Sequence, residues 1–102
     1  MVHIEINSWY PRHINEEVTE KFLDLMKDPG MPSTIKSFKI YSKVVKEGIK
    51  VMAYLEVEQE KLGQAFVDID PLLGELVAIE GYNIEIGLVS SFEEVMAARQ
   101  QG

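Results

Sequence analysis

The stretch TIKSFKIYSKVVKEGIKVMAYLEVE, residues 34–58, decides the fold. Over residues 34–45, Phe38, Ile40 and Val44 share one parity, while Ser37, Lys39, Tyr41 and Lys43 share the other. Over residues 49–58, Ile49, Val51, Ala53, Leu55 and Val57 make the cleanest apolar stripe in the chain, with Lys50, Met52, Tyr54 and Glu56 facing away. A period of two is the mark of a half-buried strand. The two runs are separated only by Lys46-Glu47-Gly48, with Gly48 free to take a positive φ, so they predict an antiparallel hairpin.

Upstream, VHIEINSWY (residues 2–10) alternates in the same way. Val2, Ile4 and Ile6 form a core face, and His3, Glu5, Asn7 and Trp9 point to the opposite side. Tyr10-Pro11 ends this strand, because proline supplies no ladder donor and restricts the residue before it. Asn15 is then expected as a helix N-cap, with Glu16 and Glu17 in the first turn. Val18, Phe22, Leu25 and Met26 lie on one helical face, Glu17 and Lys21 make an i,i+4 pair, and DPGMPS at residues 28–33 stops the helix. Downstream, residues 60–79 predict a broken helix. Leu62, Ala65, Phe66 and Ile69 serve a first segment, and Asp70-Pro71 acts as N-cap and first turn of a second that carries Leu72, Leu73, Leu76 and Val77. Gly81 ends it. Residues 82–89 alternate again, with Tyr82, Ile84, Ile86 and Leu88 against Asn83, Glu85, Gly87 and Val89. Ser91 and Glu94 stand at capping-box spacing and open a short C-terminal helix.

The order strand, helix, strand, strand, helix, strand is the split βαβ, or ferredoxin-like, arrangement. It predicts an α+β fold: a four-stranded antiparallel sheet with both helices on one face, plus the short C-terminal helix, as a single domain over residues 1–102. The face left open collects His3, Glu5, Asn7, Trp9, Ser37, Lys39, Tyr41, Met52, Tyr54, Glu56, Asn83, Glu85 and Val89.

Composition limits the function classes. The net charge of −7 argues against nucleic acid and against an anionic membrane surface. Without cysteine there is no disulfide, thiolate zinc site or thiol nucleophile. No signal-like segment and no apolar run of the ~20 residues a membrane span needs is visible, and the expectation is a soluble, cytoplasmic protein. No phosphate-binding glycine loop, nucleophile elbow or Walker motif is present. The acidic residues Asp68, Asp70, Glu75 and Glu80 lack the spacing and glycine of a calcium loop.

The βαββαβ order with a mixed aromatic and polar sheet face resembles the dimeric α/β-barrel superfamily. The opening strand ending in SWYP and the helix NEEVTEKFLDLM are most similar to small uncharacterised members of it, the group known as DUF3303-like proteins. The resemblance covers about residues 2–89. It implies two sheets packed face to face around a cavity, and a superfamily that includes cofactor-free monooxygenases and isomerases as well as proteins of no known activity.

Candidate chemistry lies on the open face. His3 and Glu5, at i,i+2, share a side and could chelate a metal with His13, but two ligands at that spacing are common by chance, and no metal or cofactor is expected. Trp9 and Tyr10 could line a ligand mouth, but the favoured reading is that Trp9 packs against a partner subunit or a loop. Tyr41 and Tyr54 could act as an acid pair beside Lys39 and Lys43, or simply make a cross-strand aromatic contact. Glu5, Asn7 and Glu85 would be costly in a dry interface, which favours a wet cavity. The expectation is a homodimer through the open face that binds a small organic ligand with His3, Glu5, Asn7, Trp9, Tyr41, Tyr54 and Glu85. The alternatives are a cofactor-independent monooxygenase or isomerase, and a pure dimerisation module.

Overall fold

The computed structural model describes residues 1–90 and 92–101. The strands are β1 (Val2–Tyr10), β2 (Ser37–Val45), β3 (Gly48–Val57) and β4 (Asn83–Val89). The helices are α1 (Asn15–Lys27), α2 (Leu62–Val77) and α3 (Phe92–Gln101). Single 3₁₀ turns, Arg12–Ile14 and Gln59–Lys61, lead into α1 and α2. The sheet order is β2-β3-β1-β4, and each neighbouring pair is antiparallel. Each helix therefore carries the chain across one intervening strand, which is the ferredoxin-like βαββαβ topology expected from the hairpin.

The hairpin closes at Val45 and Gly48. Gly48 has φ +142°, and a Cβ there would run into the Tyr10 carbonyl, so glycine is required both by the backbone angle and by β1 lying beside it. The core stripes of β1 and β3 pack as their parity demands. Ile4, Ile6, Leu55 and Val57 from the centre of the sheet meet Ala65 and Ile69 of α2 and Ile35 of the α1–β2 loop. Ile4 and Val57 are fully buried, each contributing roughly 1.5–3 kcal/mol. A second cluster joins Tyr10, Val18 and Ile79.

Several expectations need correction. The second helix is not broken at Asp70-Pro71: α2 runs unbroken, with Pro71 inside it. Ala65, Ile69, Leu72 and Leu76 form one continuous buried stripe through the proline, and that packing outweighs the missing amide donor. Val67, four residues before Pro71, is on the exposed side of the helix, where water can serve its carbonyl. Asn15 is not a capping side chain. The cap position is Ile14, and the Asn15 Oδ1 instead accepts a hydrogen bond from the Tyr10 hydroxyl at 2.9 Å. The apolar stripe of β2 is not covered: Phe38 and Val44 are 43% and 62% exposed, and Ile40 is also exposed. The expected capping box of Ser91 lies outside the described residues.

Candidate functional site

The strand register sets out the open face in four cross-strand rows. From β2 to β4 they are Ser37–Glu56–His3–Val89, Lys39–Tyr54–Glu5–Gly87, Tyr41–Met52–Asn7–Glu85 and Lys43–Lys50–Trp9–Asn83. All seven expected site residues are therefore on one surface. Trp9 and His3 stand in the two end rows. In the middle rows, the Asn7 amide donates to Glu5 at 3.0 Å, and the Tyr41 and Tyr54 rings meet edge-on with centroids 6.2 Å apart. The Tyr54 hydroxyl is held above its ordinary pKa by desolvation and then by the Glu5 carboxylate. His3 turns to Glu56, with 3.5 Å between Nε2 and the carboxylate, and not to Glu5. Trp9 and Tyr41 are exposed. Tyr41 is 53% exposed, and a closed cavity over these middle rows would need a second surface.

A cavity that one chain forms by itself lies on the other side of the sheet. It occupies about 600 Å³ between α1, α2 and the helix-facing side of β1, β2 and β3. Its walls are Val18, Phe22, Leu25 and Met26 of α1, Ile69, Leu72 and Leu76 of α2, and Ile49, Val51, Ala53 and Leu55 of β3. Ile40, Ser42 and Val44 of the uncovered β2 stripe also line it. Their exposure follows from this position: α1 stands off from the outer strand, so the stripe borders an opening instead of a packed layer.

Besides Thr19 and Ser42, the cavity lining carries a set of polar groups joined by hydrogen bonds and ring stacking. These are Ser8, Tyr10, Asn15 and Tyr82. The Tyr82 hydroxyl donates to Ser8 Oγ at 2.7 Å, and Tyr10 donates to Asn15. The Tyr10 and Tyr82 rings stack, with centroids 5.8 Å apart and planes 16° from parallel. Burial pushes the Tyr10 pKa up, helped by Tyr82 beside it. Burial also raises that of Tyr82, against a smaller opposing effect of its hydrogen bond to Ser8. Both remain neutral phenols at physiological pH. Among the described residues the lining carries no carboxylate and no imidazole. Tyr10 was one candidate for a ligand mouth but not among the seven expected site residues; Ser8, Asn15 and Tyr82 were not expected in a site. Parity holds the missed signal: Ser8 follows Ile4 and Ile6 on the core face of β1, so a hydroxyl interrupts an apolar stripe.

No family model matches the sequence, and no curated protein matches it. Solved structures match it in fold. A cofactor-independent oxygenase, SnoaB from Streptomyces nogalater, solved as a mutant, is similar at TM-score 0.63 and 12% identity, over 89% of this chain and 93% of that one. A de novo designed protein, Foldit4, is similar at TM-score 0.56 and 11% identity, over 88% and 97%. A natural oxygenase and a designed chain share this backbone, so the likeness speaks to architecture alone.

Proposed function

We propose that this protein binds a small, largely apolar organic molecule in the cavity between its helices and its sheet, and that its open sheet face buries against a second copy. The cavity carries the reading. Its volume lies within the roughly 300–1,000 Å³ of small-molecule sites, and an apolar wall with a few convergent polar groups is how such sites are built. The cavity's opening along β2 offers a way in.

The pairing of two open faces rests on their mixed character and their size. Four strands of seven to ten residues span roughly 25–30 Å by about 19 Å. Two such faces together hide about 1,000 Å² even in projection, near the lower bound for a specific interface. Trp9 and Tyr41 are the exposed aromatic groups that interfaces favour. His3, Glu5, Asn7, Trp9, Tyr41, Tyr54 and Glu85 would then line the space between the sheets. The Asn7–Glu5 hydrogen bond supports a second reading in which that space is wet and takes a flat polar molecule. Membership of the dimeric α/β-barrel superfamily, and of its DUF3303-like group, belongs to the same proposal and is supported by element order.

Binding is preferred to catalysis for a chemical reason. A monooxygenase or isomerase that works without a cofactor has to remove a proton from its substrate. Among the described residues the ionisable side chains of the helix-side cavity are Tyr10 and Tyr82, Lys43 belonging by register to the open face, and burial keeps both tyrosines protonated. The test is a titration of ¹⁵N-labelled protein with a panel of apolar aromatic and polar aromatic compounds. Shifts at Ser8, Val51 and Leu72 are expected. Shifts confined to Glu5, Trp9, Tyr54 and Glu85 would move the site to the open face, and no shifts with any compound would end the ligand-binding reading.

A further inference from the structure

The polar set of the cavity has an unused hydrogen. Ser8 is 3% exposed, and its hydroxyl can donate once and accept twice. It accepts from Tyr82, and among the described residues no acceptor takes its own proton. No hydrogen bond joins it to Tyr10, whose hydroxyl donates to Asn15 and whose ring is stacked on Tyr82. A buried donor left without a partner is costly, and a polar hydroxyl in the centre of an apolar stripe calls for an explanation.

We infer that the Tyr82–Ser8 hydroxyl pair holds an acceptor oxygen of a neutral ligand, a carbonyl being the best fit, so that hydrogen bonds run in one direction from Tyr82 to Ser8 to the ligand. This rests on the helix–sheet cavity being the binding site. Burial keeps Tyr82 protonated, so it goes on donating, and a chain of donors polarises its last member. A carboxylate is a poorer guest. Among the described residues Lys43 is the one cation at the edge of the cavity, and its place in the row with Lys50 and Trp9 gives its side chain to the open face, so the wall leaves an anion unpaired. The neighbouring rings of Tyr10 and Tyr82 suit a flat group attached to the carbonyl.

Benzophenone and diphenylmethane test this, being alike in size and rings and differing in the carbonyl. Both are titrated by ¹H–¹⁵N spectra into the native protein and into the double variant Ser8→Ala/Tyr82→Phe. That variant removes donor and acceptor together and leaves no orphan group, and circular dichroism confirms its fold. The ratio of ketone affinity to hydrocarbon affinity is expected to be about tenfold higher in the native protein than in the variant. The hydrocarbon controls for any change in general fit. The same ratio in both proteins would overturn the hydroxyl assignment and leave the cavity intact. Failure of both compounds to bind the native protein would overturn the cavity reading and this inference with it.

Discussion

Ala53→Leu offers a sign test of the cavity. Ala53 is on the helix-facing side of β3, opposite Ile6 and Ile40, and it lines the empty space. Leucine adds three carbons. At about 0.8 kcal/mol per buried methylene they contribute up to about 2.4 kcal/mol, less about 0.5–1 kcal/mol for the side-chain freedom lost. The expected gain is about 1.5 kcal/mol, or roughly 6–12 °C in Tm for a domain of this size. The same change at Ala65, which is fully buried in the closed core against Ile4 and Leu55, has no space to enter and should cost about 1–3 kcal/mol. Thermal and urea unfolding of both variants measure the difference, and Ala53→Leu should also weaken benzophenone binding. If Ala53→Leu destabilises as much as Ala65→Leu, the helices close onto the sheet in solution and the cavity argument fails.

Three further outcomes follow from the same structure. Met52→Asp, in the middle of the open face, should halve the mass seen by light scattering at micromolar concentration while leaving the fold intact; Val51→Asp, one residue away in the wall under α1, should cost several kcal/mol of stability. A native protein that is already monomeric at that concentration would remove the dimer reading. Pro71→Ala should stabilise α2 by about 1–2 kcal/mol: an interior proline costs up to about 3 kcal/mol, against roughly 0.4–1 kcal/mol that its restriction of the unfolded chain supplies. Unchanged or lower stability in urea would mean that the proline ring is used in packing. Finally, Tyr10 and Tyr82 hold their protons more tightly folded than unfolded, so the native state binds more protons above the ordinary tyrosine range. Their stabilisation is complete below that range and is lost as pH rises through it, so the urea midpoint should fall on the alkaline side, and less steeply in Tyr82→Phe.

The parts of this architecture that the sequence makes legible are those set by covalent geometry. Alternate residues of a strand point to opposite faces whatever surrounds them, so Ile4 and Ile6 on one side and Glu5 and Asn7 on the other could be assigned before any packing was known. The topology followed because the hairpin and the two crossovers leave few ways to connect four strands. Reasoning failed where local preference met packing. Asp70-Pro71 has the local form of a helix start, yet the buried stripe of Ala65, Ile69, Leu72 and Leu76 carries one helix through it. Asn15 has the composition of a cap but is hydrogen-bonded to Tyr10, which is five residues earlier in the chain and brought near by the turn at Pro11.

The cavity was hidden for a different reason. Its existence depends on how far α1 stands from β2, and no residue pattern measures a distance between layers. Val18, Phe22, Leu25 and Met26 read as core, and so do Ile40 and Val44; the sequence says that both sets are apolar, not that they fail to meet. Ser8 is the exception that parity could have exposed. A stripe running Ile4, Ile6, Ser8, Tyr10 places a hydroxyl and a phenol where a closed core would take aliphatic groups, and both need partners. Tyr82 supplies one of them from 74 residues away. The residue that breaks the apolar pattern of β1 is thus the one that Tyr82 ties into the cavity's polar set. Removing only its partner separates ring packing from recognition: Tyr82→Phe keeps the stacked rings but leaves the buried Ser8 hydroxyl without its donor, so stability should fall by about 1–3 kcal/mol, recovered in part by adding Ser8→Ala, while discrimination between ketone and hydrocarbon weakens in both variants.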